Sequence, residues 1–189
     1  MLYWFGKFTV ICFLKLFFRV ELQGSEVFPA RGPFILASNH PSYFDPPLLA
    51  AVVKRRIHFL AKEELFRNRC ARLFFKQLGA IPLKRQTNDF RAMRLALGIL
   101  KDNPLLVFPQ GLVGAPWDQV NPGVGFLAKK SGVPVIVARI EGSQQVRFTF
   151  KSLSARSTIR VAFACVDTFE PGNSNQAVAA KVMDQIRSL

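Results

Sequence analysis

Histidine, cysteine and acidic side chains are all scarce in this 189-residue chain, and each shortage removes a class of function. Two histidines, His40 and His58, are too few for a multi-histidine metal centre. The three cysteines, Cys12, Cys70 and Cys165, are odd in number, far apart and without a CxxC pair. Neither a zinc knuckle nor a disulfide framework is expected from them, and a reducing, cytosol-facing location fits. There is no G-x-S-x-G elbow, so a covalent serine route lacks its usual scaffold. Internal repeats, low-complexity segments and long linkers are also missing, and the length suits one domain. Only 12 Asp and Glu stand against 26 Lys and Arg, which leaves a net charge of +14 and calls for an anionic partner. Trp and Tyr number two each while Phe reaches 19, several of them beside Lys or Arg. Apolar rings mixed with positive charge suit a membrane surface better than DNA, and no nucleic-acid-binding motif accompanies the charge.

The first twenty residues carry much of that mixture. Residues 2–20 contain eleven Leu, Ile, Val and Phe, no acidic residue and no proline. As a helix they would reach about 28 Å, near the thickness of the hydrocarbon layer. On a helical wheel Lys7, Lys15 and Arg19 fall within about 120° of one another, an arc shared with Trp4, Phe8, Ile11 and Phe18. Insertion gains roughly 3–7 kcal/mol from the apolar residues, and Lys7 with Lys15 opposes it by about 5–7 kcal/mol near the midplane. That near balance favours a helix seated deep in the interface over a full span. A cleaved signal peptide is not expected: the uncharged run Phe8 to Leu14 is short, and no A-x-A site follows. Residues 1–20 are thus read as a membrane-associated helix and 21–189 as one domain.

Beyond Val20 short apolar runs alternate with helical periodicity. Strands are expected at 34–38, 57–61, 79–83, 105–108, 134–140, 146–150 and 158–164. Helices are expected at 45–54, opened by Asp45 and two prolines, and at 88–101, 123–130 and 175–186. Interleaving of this kind argues for an α/β domain with a mixed, largely parallel sheet flanked by helices. Between Lys54 and Arg94 there are twelve basic and three acidic residues. Within that stretch, residues 65–76 interleave Phe66, Phe74 and Phe75 with Arg67, Arg69, Arg72 and Lys76. Such a pattern suits anionic headgroups with rings entering the acyl boundary, or a solvated helix face.

The segment ILASNHPSYFDPPLL (35–49) concentrates the chemistry. A buried strand ends at Ser38, His40 follows in a loop, and Asp45 opens the next helix. Strand C-termini are where open α/β sheets place their sites. A turn after Pro41 can fold the Asp45 carboxylate back onto the imidazole, which fixes the tautomer and leaves the other nitrogen to take a proton near pH 7. Ser38 and Ser42 read as loop and turn residues, and Cys70 has no neighbouring base to activate it.

Four blocks in order over some 100 residues resemble the PlsC-like glycerolipid acyltransferases, a family that includes the 1-acylglycerol-3-phosphate acyltransferases. N-H-x4-D appears as NHPSYFD (39–45), and G-x5-R as GAIPLKR (79–85). F-P-E-G-T-R appears altered as FPQGLV (108–113), and V-P-I-V-P-V as VPVIVA (133–138). The resemblance covers roughly residues 20–188. It implies acyl transfer from a thioester, acyl-CoA or acyl carrier protein, to a lysophospholipid hydroxyl, with no cofactor and no metal. The acceptor it points to is 1-acylglycerol-3-phosphate, and the product phosphatidic acid. By that likeness His40 is the general base, Asp45 orients it, and Arg85 holds the acceptor phosphate with Lys84 adding charge. Phe108, Pro109, Gln110 and Gly111 form a loop in which Gly111 would let backbone N–H groups approach an acceptor or oxyanion. The implied partners are an anionic phospholipid membrane, the lysophospholipid and the acyl donor, at the cytoplasmic face of the cell membrane. Gln110 stands where the family has Glu, and Leu112-Val113 replace Thr-Arg. Those departures admit another acceptor, such as the ethanolamine type, or a catalytically silent lipid-binding relative.

Overall fold

Alternation along three short strands decides how this chain layers. The computed structural model describes residues 1–84, 89–146, 157–166, 169–170 and 172–189. The described strands are β1 (Arg19–Gln23), β2 (Ile35–Ser38), β3 (His58–Lys62), β4 (Ala80–Leu83), β5 (Leu105–Val107), β6 (Val135–Glu141) and β7 (Thr158–Cys165). The helices are α1 (Leu2–Phe17), α2 (Asp45–Val52), α3 (Arg69–Gln77), α4 (Phe90–Ile99), α5 (Gly123–Ser131) and α6 (Asn175–Ser188). The strands form one sheet in the order β1-β7-β6-β2-β5-β3-β4. Among the described pairs only β6–β7 is antiparallel.

In the middle of the sheet every residue of β2 and β5 is buried, as a strand covered on both faces requires. Ile35, Ala37, Leu105, Val107, Val135 and Val137 point to one face, where Ala96 of α4, Leu127 of α5 and Val182 of α6 cover them. The residues between them, Leu36, Leu106, Ile136 and Ala138, point to the other face, against Leu14 of α1 and Leu48 and Leu49 of α2. Full burial of each such Leu, Ile or Val contributes roughly 1.5–3 kcal/mol, so both helical layers are held by the period-two pattern of the sheet.

Six of the seven expected strands form within a residue of the bounds read from the sequence. The seventh, 146–150, falls on residues 147–150, outside those described. The four expected helices of the domain form within two residues of their bounds. The mixed, mostly parallel sheet with helices on both faces is the architecture expected. β1 was not anticipated. Its five residues, RVELQ, alternate charge with apolar side chains at a sheet edge, and its parallel partner β7 lies far along the chain, from Thr158. The Phe-rich basic run becomes α3, capped by the Asn68 Oδ1, which accepts from Ala71 N at 2.6 Å.

The N-terminal helix is apolar on two faces, one packed and one exposed. Tyr3, Leu14 and the following Phe18 are buried against the domain, and the Tyr3 hydroxyl accepts the Ile57 N–H at 3.0 Å. Met1, Trp4, Phe5, Phe8 and Leu16 share the outer face and stay exposed. Lys7, which the helical wheel groups with Lys15, lies instead on the inner side and donates to the Val53 carbonyl at the end of α2. Partial burial holds its ammonium below the ordinary lysine pKa. Among the described residues no helix is long and apolar enough to cross a membrane.

Candidate active site

Because β2, β3, β5 and β6 run parallel, their C-terminal ends deliver four loops to one edge of the sheet. The chain leaves β2 toward β3 and β4, returns as β5, then crosses to β6 on the other side of β2. That reversal around β2 is the switch point at which such sheets open a crevice. Asn39 extends β2 by one more pairing: its Oδ1 accepts from Ile140 N at 2.7 Å and its Nδ2 donates to Ile140 O at 2.9 Å. Asn39 therefore pins the start of the loop to β6, a role its place in the motif did not disclose.

The next residue carries the imidazole. His40 Nδ1 and Asp45 Oδ2 lie 2.8 Å apart. An ionised carboxylate only accepts, so the proton sits on Nδ1 and Nε2 is left as a proton acceptor. The tight turn expected after Pro41 makes this possible: Asp45 N donates to Ser42 O at 3.1 Å, and Ser42 N donates to Asp45 Oδ2 at 2.8 Å. Asp45 is completely buried, and a carboxylate taken out of water needs such partners. Phe108 stacks on the imidazole with ring centroids 3.8 Å apart and planes 13° from parallel. The ring is thus held at its edge by a carboxylate and on its face by an aromatic.

Phe108 to Gly111 form a turn closed by Gly111 N donating to Phe108 O at 2.9 Å, with Pro109 at its second position. Gly111 has φ +74°, which suits glycine, but its own N–H is engaged in the turn. The Gln110 side chain is buried, with Oε1 accepting from His40 N and Nε2 donating to the Ala115 and Pro116 carbonyls. Asn121 Nδ2 donates to the Pro109 and Gln110 carbonyls at 3.1 Å each, and Gly114 N donates to His40 O at 2.8 Å. Residues 108–121 therefore form a hydrogen-bonded collar around the histidine.

His40 lines a cavity of about 760 Å³ whose remaining walls are mostly apolar. Leu2, Phe5 and Val10 of α1, Pro46 of α2, Phe59 of β3 and Phe74 of α3 are among its lining residues. Its size is that of a small-molecule site, and its lining suits a hydrocarbon chain. Lys7 and Lys62 also line it, and neither was read from the sequence as a site residue. The signal for Lys62 was its place at the end of a strand. Among the described residues no three His, Cys, Asp or Glu side chains gather as a metal site.

The expected phosphate clamp divides. β4 ends at Leu83 on the same edge of the sheet as β3, and Arg85 lies outside the described residues. Lys84 is exposed, with its Nζ 3.9 Å from Glu63 Oε2. Asp89 joins the backbone on either side of residues 85–88, accepting from Lys84 N at 2.8 Å and from Ala92 N at 2.9 Å. These two N–H groups hold its carboxyl below the usual range.

A profile of the family described as Acyltransferase matches residues 19–141. Two curated proteins are similar to the chain, both described as 1-acyl-sn-glycerol-3-phosphate acyltransferase. That of Bacillus subtilis is 25% identical over 134 residues, covering 70% of this chain and 67% of its own length. That of Streptococcus pneumoniae is 29% identical over 133 residues, covering 69% of this chain. The chain spans about half (48%) of the length of this second relative. Among solved structures, the 1-acyl-sn-glycerophosphate acyltransferase PlsC from Thermotoga maritima shares the fold. Its TM-score is 0.70 at 24% identity, over all of this chain and 78% of that one.

Proposed function

The chain belongs to the acyltransferase family, and we propose that it acylates the free hydroxyl of 1-acylglycerol-3-phosphate from a thioester donor, making phosphatidic acid for phospholipid synthesis. The observation that carries this reading is the His40–Asp45 pair at the wall of an apolar cavity of about 760 Å³. His40 Nε2 takes the proton of the acceptor hydroxyl as its oxygen attacks the thioester carbonyl. The new C–O bond forms, the C–S bond breaks, and the proton passes from the imidazolium to the departing thiolate. Asp45 keeps Nδ1 protonated and steadies the positive imidazole, and the cavity receives an acyl chain out of water. Arg85 is the acceptor-phosphate ligand in this scheme, with Lys62 a second cation on the cavity wall. The donor is acyl-CoA or acyl carrier protein.

The outer face of α1 supports a membrane location. Trp4, Phe5 and Phe8 are exposed there, and Leu65, Leu73 and Phe74 are exposed on and beside α3, among Arg67, Arg69, Arg72 and Lys76. A lysophospholipid is itself a membrane component, so a cavity whose walls include α1 and α3 takes its substrate from the bilayer on which those helices rest. Anionic lipid at the cytoplasmic face of the cell membrane suits the net charge of +14.

A second acceptor is favoured by one observation. Val113, where the family pattern has Arg, lines the cavity with an apolar side chain. One cationic contact fewer favours a zwitterionic headgroup, such as the ethanolamine type, relative to a bare phosphate. The deciding experiment incubates the purified protein on vesicles with labelled acyl-CoA or acyl carrier protein and a panel of lysophospholipids. Acylation of lysophosphatidic acid, cut at least about 100-fold by His40→Ala, is the expected result. A folded His40→Ala protein with the wild-type rate overturns the mechanism, and no acylation of any acceptor overturns the function.

A further inference from the structure

The buried carboxylate of the site has a partner that neither the motifs nor the family match includes. Asp45 Oδ2 accepts from His40 Nδ1 and from Ser42 N. Its other oxygen, Oδ1, accepts from the hydroxyl of Ser143 at 2.6 Å, 98 residues further along the chain. Ser143 and Asp45 are both fully buried. Ser143 also lies two residues past the stretch that the family profile matches, which ends at Glu141.

The backbone is built to put that hydroxyl there. β6 ends at Glu141, and Gly142 turns the chain with φ +83°. A Cβ at Gly142 would lie 2.4 Å from the Thr158 carbonyl oxygen, so only glycine fits. A single 3-10 turn then starts at Ser143, fixed by Gln145 N donating to Gly142 O and Val146 N donating to Ser143 O. With β6 held against β2 through Asn39, the serine meets the carboxylate oxygen that the imidazole does not.

We propose that Ser143 is a positioning residue for the acyl-transfer reaction. Its hydrogen bond fixes the torsion of the Asp45 carboxylate plane, so that Oδ2 faces His40 Nδ1 at each turnover. Without the serine only Oδ2 is held, and the carboxylate plane can tilt about its Cβ–Cγ bond away from the best line to the imidazole. The three side chains thus act in series, Ser143 to Asp45 to His40, and only the last meets the acceptor hydroxyl.

This rests on His40 as the base, and the test separates the two. Steady-state kcat and KM are measured for Ser143→Ala, Asp45→Asn, the double variant and His40→Ala, with melting temperatures alongside. Ser143→Ala is expected to lower kcat about tenfold with both KM values unchanged, because it acts on orientation and touches no substrate. Added to Asp45→Asn it is expected to cost less than about twofold more, since its effect passes through the carboxylate. If Ser143→Ala does not fold, Ser143→Cys keeps the size but replaces a strong donor with a weak one, and the same fall in kcat is expected. Wild-type kcat in a folded Ser143 variant, a loss confined to KM, or an equal loss in both backgrounds overturns the inference. If His40→Ala is inactive while that happens, the base assignment survives and only the role of Ser143 falls.

Discussion

The Gln110 side chain accepts the backbone N–H of His40 at Oε1, 3.3 Å away, and its Nε2 donates to the carbonyls of Ala115 and Pro116 at 2.5 and 3.1 Å. Those two carbonyls require a donor, which a carboxamide has and an ionised carboxylate lacks. The departure from the family's Glu is therefore matched by the collar around it. Gln110→Glu is expected to remove two hydrogen bonds and press a charge against two carbonyl oxygens, costing about 1–3 kcal/mol. Thermal unfolding should show the melting temperature fall by roughly 2–12 °C, with turnover on lysophosphatidic acid reduced or flat. A variant that is both more stable and faster would refute this reading of the collar.

Arg85 and Lys84 adjoin in sequence but are expected to separate in function. Lys84 lies beside Glu63, whereas a guanidinium offers a phosphate two parallel donors. Arg85→Ala should raise the acceptor KM by at least about tenfold, roughly 1.4 kcal/mol, and leave slow thioester hydrolysis intact. Lys84→Ala should change the acceptor KM by less than about twofold, as solvated pairs contribute little. Acceptor-dependent kinetics on mixed micelles read both, and reversed magnitudes would move the clamp to Lys84.

Membrane binding is best tested by substitution in α1. Removing the helix would also strip Leu14 from the core and free the Ile57 N–H that Tyr3 receives. Trp4 and Phe8 are exposed and do not line the cavity. Trp4→Ser with Phe8→Ser should weaken sedimentation with vesicles at least about tenfold while the melting temperature stays within a few degrees. Raised salt should weaken binding to anionic vesicles further and leave the apolar part. Unchanged sedimentation would move the contact to α3.

His58 gives the fold a pH dependence separate from catalysis. It starts β3, and among the described residues its buried Nδ1 has no hydrogen bond of ordinary geometry. Burial, and then the Arg56 charge, lower its pKa below the ordinary value. The unfolded chain therefore binds a proton more readily than the native one. The stability that depends on His58 is complete above about pH 6.5, the unfolded value, and falls as pH drops below it. Urea unfolding at several pH values should show that slope, flattened in His58→Gln. An unchanged slope would place the titrating group elsewhere.

Short apolar runs such as Phe34–Ser38 and Pro134–Ile140 were legible as strands because strands buried on both faces need largely apolar sequence. The pairing of His40 with Asp45 was legible too, since five residues with a proline between them can close only by a turn. β1 was not, because a short edge strand with alternating charge has no hydrophobic signature of its own. The two-faced character of α1 was likewise hidden: a helix apolar all round does not say which side packs on the domain and which stays exposed. The wheel set Lys7 beside Lys15, and packing against α2 set them apart.

Composition, strand pattern and four short blocks by themselves determined the α/β class, most of its strands and helices, and the histidine–aspartate pair, because each of these is written in local spacing. Long-range contact decided the rest. Ser143 meets Asp45 across 98 residues, Gln110 meets His40 across 70, and Asn39 meets Ile140 across 101. No local periodicity encodes such pairs. They exist because parallel strands bring their C-terminal ends to one edge, where buried polar atoms must find partners among whatever loops arrive beside them.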